Sequence, residues 1–272
     1  MDSPELKYQN LQNILKALGR VLIAFSGGVD STLLLKVAKD ILGDDVLAVT
    51  VSSETTPRCE QQDAICFAKA SDAEHLLVKS HEMDLPEFVK NPLDRCYICK
   101  KSRFSDLLKL AHEKGFPYVA DGENHDDQSD YRPGSRAAQE LGIRSPLKAA
   151  GLTKAEIRLL SKKLNLPTWD KPAYACLASR IPYHSPITAE KLRQVDEAEE
   201  FLRGLGLSPQ LRVRHYNDTA RIECEPKDIP KIAESTLRSH IVTHFKSLRF
   251  KFITLDLEGY HMGSLNPDRS SV

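Results

Sequence analysis

The 272-residue sequence has no net charge, its 38 lysines and arginines balancing 38 aspartates and glutamates. A balanced chain has no global basic field to gather nucleic acid, although a local patch stays open. No apolar run approaches the roughly 18 residues that a membrane helix requires, and no charged-then-apolar leader opens the sequence. These absences lead to the expectation of a soluble, cytoplasmic protein that uses neither membrane nor nucleic acid. Cysteine is sparse, with six residues in the whole chain, which argues against a secreted disulfide scaffold. In a reducing compartment their spacing is read for metal or redox chemistry first.

What is present is organised around Ala24-Phe-Ser-Gly-Gly-Val-Asp-Ser31. The β-prone run Val21-Leu-Ile23 precedes it, and Thr32-Leu-Leu-Leu-Lys-Val-Ala38 follows with apolar residues at helical spacings. Gly27 and Gly28 allow a sharp turn in which several N–H groups converge. Ser26 and Ser31 add hydroxyls, and the helix N-terminus adds partial positive charge, so the stretch suits a phosphate. It is not a Walker A loop, because the Gly-Lys-Ser/Thr ending is missing. Asp30 would repel a phosphate unless a metal ion lay between them, which implies Mg²⁺.

The remaining pattern predicts an α/β protein. Helices are expected over 5–18, from the loop to about 42, 57–70, 104–114 and 153–164, with a short one near 136–141. Strands are expected at 21–23, 46–51, 75–78 and 117–120. Strands alternating with helices at this spacing point to a doubly wound parallel sheet, whose ligands sit at the carboxyl ends of the strands. Ser26, Ser52 and Asp121 fall at such ends. The segment 170–183 has no clear period and ends the first domain, taken as 1–182. A smaller α+β domain, 183–272, is expected to hold helices at 188–205 and 228–247 and strands near 210–215, 219–224 and 250–256, with Asn217-Asp218 as a turn.

Three constellations carry further chemistry. Cys96-Tyr-Ile-Cys99 lies where Asp94 can cap a helix, and the dipole together with Arg95, Lys100 and Lys101 favours thiolates. Zinc, a redox disulfide and an iron–sulfur cluster all remain open at that spacing. Cys176, in the irregular segment with Lys171 and Arg180 nearby, suits a reactive or ligating thiolate. Cys96, Cys99 and Cys176 are one short of the four thiolates that satisfy a cubane cluster. Arg212 and Arg214 share a face of one strand, and Arg221 on the next can join them. They suit a bidentate phosphate grip, or else a solvated face paired with Glu223. Cys59 and Cys66, seven apart on a helix, read as small core residues, as does Cys224.

Taken in order, these stretches resemble the LarE family of PP-loop sulfur transferases, and the resemblance covers nearly the whole chain. It rests on Ala24-Phe-Ser-Gly-Gly-Val-Asp-Ser-Thr-Leu33, Asp130-Tyr-Arg-Pro-Gly134, Cys176 with the Ser-Arg-x-Pro-Tyr after it, Arg212-Val-Arg-x-x-x-Asn-Asp218, Ala220-Arg-Ile-Glu223 and Thr254-Leu-Asp-Leu257. The first motif is shared across the ATP-pyrophosphatase superfamily of HUP-like fold, whereas the ordered set is specific.

The resemblance implies ATP-dependent adenylation of a carboxylate of pyridinium-3,5-biscarboxylic acid mononucleotide, then displacement of AMP by sulfur to give a thiocarboxylate of the nickel-pincer nucleotide pathway. Ser26, Gly27, Gly28, Asp30 and Ser31 would meet ATP and its pyrophosphate with Mg²⁺. Arg212, Arg214 and Arg221 would hold the substrate phosphate. The family has a version in which a cysteine at the Cys176 position gives up its own sulfur. It has another in which three cysteines hold a [4Fe–4S] cluster bearing an added sulfide. The presence of Cys96 and Cys99 resembles the second, with sulfide or a sulfide donor as a further reactant and a hexameric or trimer-based homo-oligomer as the assembly. A PP-loop tRNA thiolase is the rival, disfavoured by the balanced charge and the lack of an RNA-binding domain. An ammonia-using synthetase lacks a glutaminase here, and a non-enzymatic binding module leaves the loop and the cysteines without purpose.

Overall fold

The structure is a computed structural model describing residues 3–128, 133–172, 175–261 and 263–265. The chain divides into two compact units. One is formed by 1–88 and 94–173, the other by 89–93 and 174–272. Residues 174–182, together with the short excursion 89–93, thus belong with the second unit.

The first unit runs α1 (Pro4–Leu18), β1 (Val21–Ala24), α2 (Val29–Leu42), β2 (Val46–Ser52), α3 (Arg58–Ala70), β3 (Glu74–Lys79), the short α4 (Pro86–Val89), α5 (Arg95–Lys114), β4 (Tyr118–Ala120), α6 (Pro133–Glu140), the short α7 (Pro146–Ala149) and α8 (Lys154–Lys163). The four strands form a parallel sheet in the order β3-β2-β1-β4. The apolar runs in β1 and β2 are continuous because both faces are covered. Val21, Ile23, Val46 and Ala48 pack with Leu11 and Leu15 of α1, Leu33–Leu35 of α2 and Ile157 of α8. The alternate residues Leu22, Leu47 and Val49 pack with Phe104, Leu107 and Ala111 of α5. Each fully buried leucine contributes about 2 kcal/mol, so the sheet is held from two sides and its carboxyl edge is a fixed platform.

The second unit contains α9 (Ala189–Gly204), β5 (Arg212–Tyr216), β6 (Thr219–Glu223), the short α10 (Ile229–Ala233), α11 (Ser235–Ser247) and β7 (Phe252–Leu255). β5 and β6 form an antiparallel hairpin that turns through Asn217 at φ +53°, a left-handed conformation asparagine tolerates. β7 adds parallel to β6. Val213, Ala220 and Ile222 face Ala198 and Leu202 of α9 and Ile241 and Phe245 of α11, leaving the arginine-bearing residues on the opposite face. Val89–Leu93 is stitched in by Asn91, whose amide donates to the carbonyls of Pro182 (2.8 Å) and Ser185 (3.0 Å).

Two expected elements differ. The helix expected over 104–114 begins nine residues earlier, so the Cys-x-x-Cys stretch and Phe104 share α5; Asp94 occupies the N-cap position, but its side chain makes no capping bond. The helix expected over 228–247 is broken at Glu234, whose extended backbone stops α10. Its carboxylate instead accepts the N–H groups of Thr236 and Leu237 at the start of α11. An N-cap there outcompetes helix continuity.

Candidate functional site

The loop between β1 and α2 is shaped by contacts that only glycine permits. Gly27 has φ +70°, and a Cβ on it would stand 2.7 Å from the Ala64 Cα of α3. Gly122, just beyond β4, passes so close that a Cβ there would lie 3.1 Å from the Ser31 backbone nitrogen. The loop is thus wedged between α3 and the end of β4 with its amides at the start of the 14-residue α2. The Ser26 and Ser31 hydroxyls are 3.1 Å apart, and Ser31 Oγ donates to the Gly28 carbonyl at 3.2 Å. Ser26, Gly27, Gly28, Asp30 and Ser31 therefore form one small polar cradle at a helix N-terminus, the geometry that favours anions.

Sequence reasoning found the cradle but not its cations. Asp30 accepts from Lys154 Nζ at 2.5 Å and from Asn124 Nδ2 at 3.4 Å. Lys171, only 9% exposed, donates to the Gly27 carbonyl at 3.2 Å and pairs with Glu60 (3.0 Å) and Asp63 (2.8 Å). Burial alone would lower the Lys171 pKa, but the hydrogen bond to Asp63 and the charge of Glu60 outweigh it, so the ammonium is held charged. Both lysines lie more than a hundred residues from the loop in sequence, and no local pattern announces them. In the segment after β4 the acids Asp121, Glu123 and Asp127 are buried. Burial pushes the Asp121 carboxyl up, against the charge of Lys100 and the Ser145 hydrogen bond. At the carboxyl end of β2, the buried Glu82 accepts from Ser53, Thr55 and Arg103, fixing the segment after the strand.

In the second unit Arg212 and Arg214 are 2% and 5% exposed, so their face is not solvated, although the pairing with Glu223 expected of that alternative is present. Arg214 donates through Nε (2.9 Å) and Nη2 (2.7 Å) to Glu223 Oε2, through Nη1 to the Ser179 carbonyl (2.9 Å), and to Ser264 Oγ (2.8 Å). Arg221 takes the other oxygen of Glu223 at 2.6 Å. Arg212 lies over the Tyr260 ring at 5.0 Å and donates to the Leu211 carbonyl. Burial lowers the Arg212 pKa, and the charges of Arg180 and Arg214 add to that effect. Cations crowded in this way favour an added anion.

All six cysteines are among the described residues, and none is in a disulfide. Cys96 is exposed and Cys99 half-buried, one turn apart at the start of α5 in the first unit, while Cys176 is exposed in the second. Among the described residues no group of three or more His, Cys, Asp or Glu side chains comes together to hold a metal ion. Cys66 is exposed and Cys59 half-buried, so the expected core pair is not one; Cys224 is buried, and its thiol is pushed up to about 11 by burial and by the charges of Asp228 and Asp256. Asp130, Tyr131 and Arg132 of the second motif lie outside the described residues. Among the described residues no helix is long and apolar enough to cross a membrane.

Comparison with known proteins follows the same lines. The NAD synthase family model matches residues 7–104, which include the loop. The chain is 38% identical to the pyridinium-3,5-bisthiocarboxylic acid mononucleotide synthase of Lactiplantibacillus plantarum, across 96% of this chain and 94% of that protein. It is 46% identical to an uncharacterised protein of Synechocystis over 96% of this chain and 97% of the other. Similarity to a tRNA-specific 2-thiouridylase of Caldanaerobacter subterraneus is 29% and spans only 56% of this chain and 53% of that enzyme.

Proposed function

The chain belongs to the LarE family of PP-loop ATP-dependent sulfur transferases, and from that premise we propose that it converts a carboxylate of pyridinium-3,5-biscarboxylic acid mononucleotide to a thiocarboxylate. The observation that carries this reading is the glycine-shaped cradle at the start of α2. A substrate carboxylate oxygen attacks the α-phosphorus of ATP, and pyrophosphate leaves into the amides of that cradle with Ser26 and Ser31 as donors. Charge is thereby met by dipoles already in place. Mg²⁺ of this kind needs only one or two protein carboxylates, the rest of its shell being phosphate oxygens and water. Asp30 fits as that ligand, with Lys154 as the cation that neutralises it before nucleotide arrives. A sulfur nucleophile then attacks the activated carbonyl carbon and AMP departs, a far better leaving group than oxide. The buried Arg212 and Arg214, with Arg221, are assigned to the substrate phosphate.

For the sulfur we assign Cys96, Cys99 and Cys176 as thiolate ligands of a [4Fe–4S] cluster, a donor set that fits such a group in kind. When bound, the cluster would supply sulfide at the iron that lacks a protein thiolate. The protein would work in the cytoplasm, where thiols stay reduced, and as a hexameric or trimer-based homo-oligomer. The test is anaerobic reconstitution followed by iron analysis, product counting and intact-protein mass. About four irons per chain and several thiocarboxylates per chain are expected, both lost in Cys96→Ala. Product capped at one per chain, with a mass loss of about 34 Da as one H₂S leaves a cysteine, would instead make Cys176 the sulfur donor itself.

A further inference from the structure

Arg180 is fully buried, and so is its partner Glu199, both at 0% exposure. The pair forms a fork: Nε donates to Oε1 at 2.8 Å and Nη2 to Oε2 at 2.9 Å. The remaining amino group, Nη1, turns to the other side and donates to the carbonyls of Ala175 (2.6 Å) and Cys176 (3.1 Å) and to Ser179 Oγ (3.0 Å). The Cys176 carbonyl also accepts from Ser179 N at 3.0 Å and Ser179 Oγ at 2.8 Å. One carbonyl thus has three donors, while the residue that bears it keeps its side chain exposed.

Glu199 is itself anchored. Its carboxylate accepts from Arg203 one helical turn on, at 2.8 Å, and from the Val213 backbone N–H of β5 at 3.0 Å. A chain of charge-assisted bonds therefore runs from β5 through Glu199 of α9 and Arg180 to the backbone at Cys176. A buried ion pair of this sort gives little stability over an apolar replacement of the same volume, so stability does not account for it. What the fork does supply is direction. Its planar, rigid donors hold two successive carbonyls at a set angle, which a lysine could not do.

We propose that Arg180, locked by Glu199, is the positioning residue for Cys176, fixing the backbone of that cysteine so that its sulfur is presented in one orientation to the activated substrate or to the metal it ligates. This rests on the reading of Cys176 as the residue of sulfur chemistry. Arg180 is not among the residues assigned to ATP or to the substrate phosphate, so loss of the fork should separate the two half-reactions.

The experiment compares wild type, Arg180→Lys, Ser179→Ala and Cys176→Ala in the full-length, anaerobically reconstituted protein. Pyrophosphate and thiocarboxylate are measured in the same reactions, with amide hydrogen exchange over residues 175–181. Arg180→Lys should release pyrophosphate within about twofold of wild type, make at least tenfold less thiocarboxylate, and exchange faster in 175–181 with β5 and β6 still protected. Ser179→Ala removes one donor without stranding a buried charge and should move both readouts the same way by a smaller factor. It carries the test if the lysine variant does not fold. A folded variant that keeps the wild-type ratio of thiocarboxylate to pyrophosphate, or wild-type exchange in 175–181, overturns the positioning role. Thiocarboxylate still formed by Cys176→Ala would overturn the underlying reading of that cysteine instead.

Discussion

Replacing Arg214 with methionine separates two contributions that the surface-exposed reading would merge. Arg214 is 5% exposed and Glu223 fully buried. Removing one partner of such a pair costs about 3–5 kcal/mol, because the other charge is stranded. Arg221 remains on Glu223 Oε1 at 2.6 Å, so the lower end, about 3 kcal/mol, is expected in urea unfolding. A solvated pair would cost under about 1 kcal/mol. Loss of one charge-assisted bond to the substrate phosphate should weaken binding by about 1.5–3 kcal/mol, roughly 10- to 150-fold in Kd, by calorimetry with the pyridinium mononucleotide. The double variant Arg214→Met/Glu223→Leu distinguishes the two effects. Swapping both buried charges for apolar groups should return stability to within about 1 kcal/mol of wild type, with binding still lost. A single variant as stable as wild type would refute the burial argument, and a double variant that binds normally would refute the phosphate grip.

Further outcomes follow from the same geometry. Gly27→Ala should lose about 2 kcal/mol or more and ATP binding, since its Cβ meets the α3 backbone, whereas Gly19→Ala, with similar φ but open space, should lose about 1 kcal/mol and keep ATP binding. Asp30→Asn should cut pyrophosphate release at least about a hundredfold while changing stability by under about 1 kcal/mol, because the Lys154 pair is partly solvated; wild-type release would remove the Asp30 role. Burial, with the Lys191 charge, lowers the His215 pKa to about 4, below its unfolded value. The unfolded chain then binds more protons in this window, so stability is full above about pH 6.5 and falls as pH drops toward 4, by about 2 kcal/mol between pH 6.5 and 5. Burial acts on His75 in the same direction. His215→Gln should flatten the urea midpoint over that range, and an equally steep His215→Gln profile would assign the slope elsewhere.

Much of the fold was legible because its signals are local. β1 and β2 announce themselves as apolar runs bounded by turns, and the loop by its paired glycines between strand and helix. The break at Glu234 was not, since a glutamate is an ordinary helix residue until its carboxylate folds back onto the next two amides. The alternation of Arg212 and Arg214 reads the same for a wet face as for a buried one. What buries them is Ser179, Ser264, Tyr260 and Glu223, brought from three other segments. Lys154 and Lys171 at the loop are likewise products of tertiary packing. Arg180 and Glu199 stand nineteen residues apart with no period linking them, so the sequence offers Arg180 as a charge near Cys176 and as part of the Ser-Arg-x-Pro-Tyr motif, but not as the partner of Glu199.

The five residues Val89–Leu93 give the second unit a discontinuous pedigree. On a ribosome they emerge roughly eighty residues before the rest of that unit, and Asn91 must wait, in a left-handed backbone at φ +57°, for the carbonyls of Pro182 and Ser185 to be synthesised. A C-terminal fragment starting at 174 would lack this stitch and leave those carbonyls without the Asn91 amide. Domain dissection by simple truncation would therefore yield a frayed unit, whereas a fragment with 89–93 grafted back through a flexible linker would mend it. The same threading places Cys96 only three residues downstream of the stitch, so an insertion at the first crossing, after Phe88, leaves that short spacing unchanged.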